Sequence, residues 1–155
     1  MKKVVLILVV LFMTSSAVLA AGKQSLPAGY EKWAKSKAQV VTDRKSLFYG
    51  IHYTYVDKKA LKTYQRGGIY PEGSRFVVVQ YAIRNEGGNP VAGKMKMIVL
   101  MKKGREFKDT GGWLFAGFNP DGSPGGIDPV KNCYECHLEL AKATDLVISK
   151  YADFK

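Results

Sequence analysis

Residues 74–101 read SRFVVVQYAIRNEGGNPVAGKMKMIVLM, and this stretch decides the fold class. Ser74 to Arg84 and Val91 to Met101 are rich in β-branched and alternating apolar residues, which predicts a strand in each. The segment between them, Asn85 to Pro90, is rich in Asn, Gly and Pro and predicts a turn. The two strands are therefore expected to pair antiparallel.

Further elements are predicted on both sides of this hairpin. Leu47 to Val56 and Gly112 to Phe118 read as strands, because aromatic and β-branched residues dominate them. Between the first of these and the hairpin, Asp57 can cap a short helix over Lys58 to Arg66, which Gly67 would end. The sheet is thus expected to contain strands from most of the middle of the chain.

Helices are predicted at the two ends of this β region. The apolar spacing in Tyr30 to Val41 and in Cys133 to Tyr151 is typical of amphipathic helices, and Asn119 to Pro129 is expected to be a loop. The predicted fold is therefore α+β, a mainly antiparallel β-sheet with flanking helices. Residues 21–155 form a single domain in this prediction, and its C-terminal helix carries the site described next.

The motif Cys133-Tyr134-Glu135-Cys136-His137 indicates the chemistry. Cys-x-x-Cys-His is the attachment signature of c-type haem. Cys133 and Cys136 would form the covalent thioether links to one haem, and His137 would be the axial ligand of the iron. The sequence contains no other cysteine, so a single haem would use both thiols.

Other uses of a Cys-x-x-Cys pair are less consistent with this sequence. A zinc site needs two further ligands at matching spacing, and the other strong candidate is His52 alone. A thioredoxin-like redox pair would follow a strand within a βαβ unit, and no such pattern is visible. Haem attachment is the interpretation that the residues favour.

The N-terminus is typical of an exported protein. Lys2 and Lys3 precede an apolar run, Val4 to Met13, and small residues lead to an expected cleavage after Ala20. Residues 1–20 are therefore predicted to be a signal peptide and the protein to be periplasmic, where haem is attached to such motifs. The run is too short for a membrane span, although it could be retained as an anchor. No span is expected after cleavage.

The chain is basic, with a formal net charge of +11. Basic residues cluster along the predicted helix at 58–66 and again between Lys94 and Arg105. Such a face could steer an anionic redox protein or a small anion, or it could simply be a solvated surface. Nucleic acid is not an expected partner of an exported haem protein.

Several segments in a fixed order resemble the cytochrome P-460 family and its relatives, the cytochromes c′-beta. The segments are Tyr55-Val56-Asp57, Gly68-Ile69-Tyr70-Pro71-Glu72-Gly73-Ser74, Gly111-Gly112-Trp113, the haem motif and Lys142-Ala143-Thr144-Asp145. The resemblance implies a mainly antiparallel sheet with flanking helices and one haem, often in a homodimer. It also implies that the iron lacks a strong protein ligand opposite the motif histidine.

The resemblance separates two kinds of member. Those that oxidise hydroxylamine have a lysine on the strand after the Pro-Glu-Gly turn and a carboxylate on the next strand. The lysine position falls at or beside Val78 and the carboxylate near Ile98 or Val99, and neither group is present there. A proton relay is therefore missing, which favours a binding protein over an enzyme.

The remaining distal pocket is expected to be apolar and to include Phe76, Val78, Met97 and Val99. Such a pocket admits small neutral ligands, nitric oxide above all, with little desolvation. Two alternatives stay open. One is a hydroxylamine-oxidising enzyme. The other is a six-coordinate electron-transfer cytochrome, in which His52 or one of the methionines at 95, 97 and 101 would be the sixth ligand.

Overall fold

The computed structural model describes residues 24–155. The predicted signal peptide over residues 1–20 lies outside the described residues. No helix within residues 24–155 is both long enough and apolar enough to cross a membrane.

The described residues form an antiparallel sheet with helical segments around it. The sheet has six strands, namely β1 (Ala34–Lys35), β2 (Gln39–Val41), β3 (Gly50–Val56), β4 (Arg75–Glu86), β5 (Asn89–Lys103) and β6 (Trp113–Phe118). Their order is β1-β3-β4-β5-β6, and β2 also pairs with β3. Each of these pairings is antiparallel. The predicted fold class is confirmed.

The hairpin of β4 and β5 is the centre of the sheet. Its turn is tighter than the sequence indicated, because the strands extend to Glu86 and Asn89 and leave Gly87 and Gly88 to make the reversal. Both glycines have positive φ angles, 56° and 84°, which is the conformation that a two-residue turn of this twist requires.

The helix α1 spans Lys58–Arg66, as predicted. The carboxylate of Asp57 accepts a hydrogen bond from the Ala60 amide at 2.8 Å, and Gly67 follows the last helical residue with a positive φ. The Asp57 carboxylate also forms an ion pair with Arg75, with 3.0 Å between Oδ2 and Nε. This pair joins the start of α1 to the start of β4.

Alternate residues of the strands contribute to two separate cores. One face carries Val56, Phe76, Met101, Trp113 and Phe115, together with Cys133, Leu146 and Val147 from the C-terminal region. The opposite face carries Tyr55, Val77, Val79, Ile98 and Leu100, covered by Tyr30. The face that carries Phe76 and Met101 therefore packs against the haem motif, and we call it the motif face.

The helix predicted over Tyr30 to Val41 is wrong. A short 3-10 helix, Tyr30–Lys32, is followed by β1 and β2. The reason is tertiary: Ala34 pairs with Val56, and the Tyr30 ring packs edge-on against Tyr55 at 5.5 Å. Strand pairing with β3 satisfies the backbone groups that a helix would have satisfied locally.

The single long helix predicted over Cys133 to Tyr151 is also wrong. A π-helical turn, Val130–Tyr134, leads into α2, Glu135–Ala141, and a 3-10 turn, Lys142–Thr144. Asp145 and Leu146 then adopt positive φ angles of 50° and 66°, and the chain reverses. The Thr144 hydroxyl stabilises this reversal by hydrogen bonding to the Val147 carbonyl at 2.8 Å.

Candidate haem site

The haem motif lies where the π-helical turn becomes α2. Cys133 and Cys136 are three residues apart in helical backbone, so their side chains lie on one side. Cys133 is buried in the motif-face core, whereas Cys136 is exposed. Burial, then the charges of Asp128 and Cys136, raise the pKa of the Cys133 thiol to about 11. A neutral thiol of this kind is unlike the low-pKa cysteine of a redox pair.

His137 is oriented by the chain reversal after α2. Its Nδ1–H donates to the Leu146 carbonyl at 2.6 Å, and its ring packs against Phe115 with 5.0 Å between centroids. Burial lowers the pKa of His137, partly opposed by the Leu146 hydrogen bond, so the imidazole is neutral at pH 7. This tautomer leaves the Nε2 lone pair available, as an axial iron ligand requires.

A buried ion pair holds the reversal that positions Leu146. The Lys103 ammonium lies 2.7 Å from the Asp145 carboxylate, and both side chains are largely buried, at 14% and 13% exposure. The second carboxylate oxygen accepts from the Tyr70 amide at 2.9 Å. His137 is thus connected through one turn to β5 and to the loop after α1.

A cavity of about 650 Å³ opens beside the motif. Its size is in the range of cofactor and small-molecule pockets. The cavity is lined by the motif face of the sheet, by the start of α2 and the turn before it, and by further chain segments. Its lining residues are Gln39, Val41, Ser46, Leu47, Phe48, His52, Thr54, Phe76, Val78, Met101, Lys131, Asn132, Cys136, His137, Val147, Ile148, Ser149, Lys150 and Asp153.

The residues predicted for the distal pocket divide into two pairs. Phe76 and Val78 line the cavity. Val99 pairs directly with Val78, and Met97 pairs with Gln80, so both lie on the motif face, but neither is among the residues that line the cavity. Their contact with a haem stays a prediction.

The strand register also places the methionines considered as iron ligands, and the positions expected for the lysine and the carboxylate, on different faces of the sheet. Met101 lines the cavity, whereas Met95 packs on the opposite face of the sheet. Ile98, one of the two positions considered for the carboxylate, is also on the opposite face. Val78, at the expected lysine position, faces the cavity.

His52 is a cavity residue whose orientation the sequence did not indicate. It is buried on β3, with 7% of its surface exposed, and the Phe48 ring packs edge-on against it at 5.7 Å. Burial lowers the pKa of His52, the Phe48 backbone raises it, and Lys96 lowers it further. The alternation of β3 places His52 on the same face as Thr54, but the strand register decides that this face lines the cavity.

Polar groups also line the cavity, beside the apolar residues expected from the sequence. Asp153 provides a carboxylate, and this group accepts hydrogen bonds from Gln39 Nε2 at 2.7 Å and from the Lys150 amide at 2.8 Å. Lys131 and Lys150 provide two cations. Apolar groups still form most of the lining surface.

The structure also tests the two alternative uses of the cysteines, a zinc site and a thioredoxin-like redox pair. Within residues 24–155 there is no cluster of three or more His, Cys, Asp and Glu side chains that could hold a metal ion. The strand pairs are antiparallel, and the motif begins within a π-helical turn that follows a loop, not after a strand. Neither a zinc site nor a βαβ redox motif is supported among these residues.

The family model for Cytochrome P460 matches residues 27–149. The chain belongs to the cytochrome P460 family. The resemblance stated from the sequence is therefore confirmed, and with it the coarse identification as a haem cytochrome. A search of curated proteins found no match to this chain.

The residues around the cavity fit the haem of a cytochrome P460. A thiol at Cys136 and the imidazole of His137 border the same cavity, and Cys133 lies in the core cluster that shares Phe76, Met101 and Val147 with it. The Leu146 carbonyl already orients His137 as an iron ligand would need. Bound here, haem would supply a redox-active iron able to bind small ligands.

Proposed function

We propose that this protein is an exported, periplasmic c-type cytochrome with one covalent haem that binds nitric oxide or a similar small neutral ligand. Cys133 and Cys136 would form the thioether links and His137 the axial bond. The observation that carries the proposal is His137, whose Nδ1–H donates to Leu146, so that Nε2 would be the atom that ligates iron at a cavity of haem-compatible size.

The preference for a small neutral ligand is supported by the lining of the cavity. Phe48, Phe76, Val78 and Met101 are apolar and cannot compensate the desolvation of a charged ligand. Nitric oxide and carbon monoxide carry no charge and need no hydrogen-bond donor to bind ferrous haem. The two cations at the cavity, Lys131 and Lys150, could pair with the propionates of the haem.

The residues of the cavity favour binding over hydroxylamine oxidation. Val78 lies at the cavity where the enzymatic branch is expected to have its lysine. The carboxylate that does line the cavity, Asp153, accepts a hydrogen bond from Gln39 that ties β2 to the C-terminal segment, and a second from the Lys150 amide within that segment.

The attachment of haem can be tested by production in a host that matures c-type cytochromes. We expect a coloured protein whose pigment stays with the polypeptide after acid–acetone extraction and whose mass includes one haem. Cys133→Ser/Cys136→Ser should lose covalent pigment. Colourless wild-type protein, or pigment that acid–acetone removes completely, would contradict the proposed attachment.

The ligand preference can be tested on the same material by optical titration. The ferrous protein should bind nitric oxide and carbon monoxide, each with a saturating change in its haem absorption bands. Oxidation of hydroxylamine by the wild-type protein, with a red-shifted absorption band, would replace this proposal by the enzymatic one. Periplasmic location is checked by fractionation of the producing cells.

A redox partner and self-association belong to the same proposal. The exposed lysines of α1, Lys58, Lys59 and Lys62, would steer an anionic protein. Electron exchange with such a partner should slow as salt is added, because a screened charge attracts less. Sedimentation of the haem-loaded protein tests the homodimer that the family resemblance implies.

A further inference from the structure

Gln80 is a buried polar residue that the proposed haem attachment does not use. It lies in β4 with 1% of its surface exposed, and it is not among the residues that line the cavity. Its Nε2 donates hydrogen bonds to two backbone carbonyls, that of Leu47 at 3.2 Å and that of Tyr49 at 2.8 Å. Both acceptors lie before β3, outside the sheet. The amide of Gln80 therefore joins this part of the chain to the sheet.

The two acceptors lie on either side of Phe48 in the sequence, so Gln80 holds the backbone from which the Phe48 side chain projects. The Phe48 amide donates to the Ser46 hydroxyl oxygen at 3.1 Å, and the Tyr49 amide donates to the Ser46 carbonyl at 3.0 Å. We call residues 46–49 the wall turn. Its internal hydrogen bonds make it a unit, and Gln80 attaches this unit to the sheet.

The surroundings of Gln80 are adapted to its amide. An added Cβ at Gly50 would lie 3.4 Å from both Cγ and Nε2 of Gln80, so glycine leaves room for the amide to approach the wall turn. Lys96 also reaches the Tyr49 carbonyl, at 3.3 Å, but from an exposed position. Oε1 of Gln80 is fully buried and has no hydrogen-bond partner among the described residues, a cost that an apolar side chain would avoid. What the two donated bonds position accounts for the presence of an amide here.

The wall turn lies across the cavity from His137, and three of its four residues line the cavity. The His137 ring packs against Phe115 of β6, whereas the Phe48 ring packs against His52 of β3. Because β4 and β5 lie between these strands, the two ring contacts are three strand spacings apart, about 14 Å. A haem ligated by His137 would therefore have its open side towards β3 and the wall turn.

We propose that Gln80 is a positioning residue of the ligand site, whose buried amide holds the wall turn and thereby limits the size of the neutral ligand that a haem bound here can take. Gln80 acts through Leu47 and Phe48, which line the cavity, and does not line it itself. This inference rests on the proposed haem site. It adds a steric limit to the preference for neutral ligands, because an apolar lining by itself does not exclude larger molecules.

The test compares two variants of the haem-loaded protein with wild type. Gln80→Met keeps an unbranched side chain of similar length and removes both donated hydrogen bonds. Ser74→Ala is the matched control, because Ser74 is also fully buried, at 0% exposure, and its hydroxyl donates to a loop carbonyl, that of Pro71, away from the cavity lining. Optical titration of the ferrous protein gives association constants for carbon monoxide, methyl isocyanide and n-butyl isocyanide. Hydrogen exchange followed by mass spectrometry reports on the wall turn directly.

Wild type and Ser74→Ala should bind n-butyl isocyanide more weakly than methyl isocyanide, by the same factor. In Gln80→Met this ratio should shift in favour of n-butyl isocyanide by roughly five- to tenfold, the factor that corresponds to losing one hydrogen bond. Carbon monoxide should bind all three proteins alike, because it is small enough for the cavity in each. Backbone amides of the wall turn should exchange faster in Gln80→Met than in wild type and Ser74→Ala.

A second variant is used if Gln80→Met takes up no haem. Ser46→Ala removes the acceptor of the Phe48 amide and loosens the wall turn without changing the sheet. Its isocyanide ratio should shift in the same direction, and an unchanged ratio would count against the inference.

Three results would overturn the inference. The first is an isocyanide ratio in Gln80→Met equal to that of wild type. The second is an equal shift in Ser74→Ala, because general loosening of the fold would then be the cause. The third is wall-turn exchange that Gln80→Met leaves unchanged. A wild type that binds neither carbon monoxide nor methyl isocyanide would instead overturn the proposed function, and hydrogen exchange would still test the attachment of the wall turn by Gln80.

Discussion

Replacement of Asp145 by Asn tests whether the turn after α2 depends on its buried ion pair. Asn keeps the size of the side chain, can accept the Tyr70 amide hydrogen bond and tolerates the positive φ of this position. The change therefore removes little except the negative charge. Lys103 is left with the Trp113 ring at 4.9 Å and the Gly111 carbonyl at 3.4 Å as its remaining partners.

The expected cost follows from the burial of the pair. Removing one partner of a buried pair costs about 3–5 kcal/mol, because the other charge stays buried without compensation. Lys103 and Asp145 are 14% and 13% exposed, so some solvent reaches them and the lower value applies. A loss of about 3 kcal/mol would lower the melting temperature by about 10 °C in a domain of this size.

The assay is thermal and urea unfolding of the haem-loaded protein, followed by circular dichroism. Glu86→Gln is the matched control, since its partner Arg84 lies 2.6 Å away but the two side chains are 57% and 63% exposed. Breaking this exposed pair should cost less than about 1 kcal/mol. Lys103→Met/Asp145→Asn should recover most of the stability that Asp145→Asn loses, because no buried charge remains unpaired.

Two results would refute this reasoning. Equal losses in Asp145→Asn and Glu86→Gln would mean that burial adds nothing to the pair. A double variant as unstable as Asp145→Asn alone would mean that the uncompensated Lys103 charge is not the cause of the loss. The spectrum of the haem gives a second readout, because a displaced Leu146 carbonyl would alter the orientation of His137, the proposed axial ligand.

Three further predictions concern the sheet, α1 and the cavity. Gly50→Ala should lower the free energy of unfolding in urea by at least about 2 kcal/mol, because φ at Gly50 is 150° and an added Cβ would collide with the Tyr81 carbonyl. Gly126→Ala is the control, because a Cβ added at Gly126 would meet no neighbouring atom, and its stability should stay within about 0.5 kcal/mol of wild type. Asp57→Ala should cost about 1–2 kcal/mol through the lost helix cap, and a variant as stable as wild type would contradict that role. Burial holds the folded-state pKa of His52 below its ordinary 6.5, so the unfolded chain binds more protons and stability should fall as pH drops through 6.5 towards the folded-state value. His52→Gln should remove that part of the pH dependence, and an unchanged difference in unfolding free energy between about pH 8 and pH 5 would contradict it.

The parts of the fold that the sequence predicted well have local causes. The alternation in β4 and β5 specifies strands, and Asp57 and Gly67 mark the two ends of α1. Local chemistry suffices in these places because side-chain pattern, cap and turn residues agree. The haem motif is also recognised from local sequence alone, because its five residues are contiguous, and the attachment of haem to it stays a prediction.

The parts that the sequence predicted wrongly depend on distant partners. The helical spacing of 30–41 was overridden by pairing of β1 and β2 with β3. No glycine or proline at Asp145 indicates the chain reversal in the sequence. The ion pair that stabilises the reversal is made with Lys103, a residue of the distant strand β5. The inward orientation of His52 depends on register, because a shift of one residue would turn it to the opposite face.

The central hairpin extends beyond both of its neighbours. β3 accompanies β4 only as far as Tyr81, and β6 accompanies β5 only as far as Ile98. The outer rungs, from Ile83–Ala92 to Glu86–Asn89, therefore have no third strand beside them within residues 24–155. Amide protons in these outer rungs should exchange with solvent through small local openings. Amide protons near Val77 and Leu100 should exchange only when the whole domain unfolds.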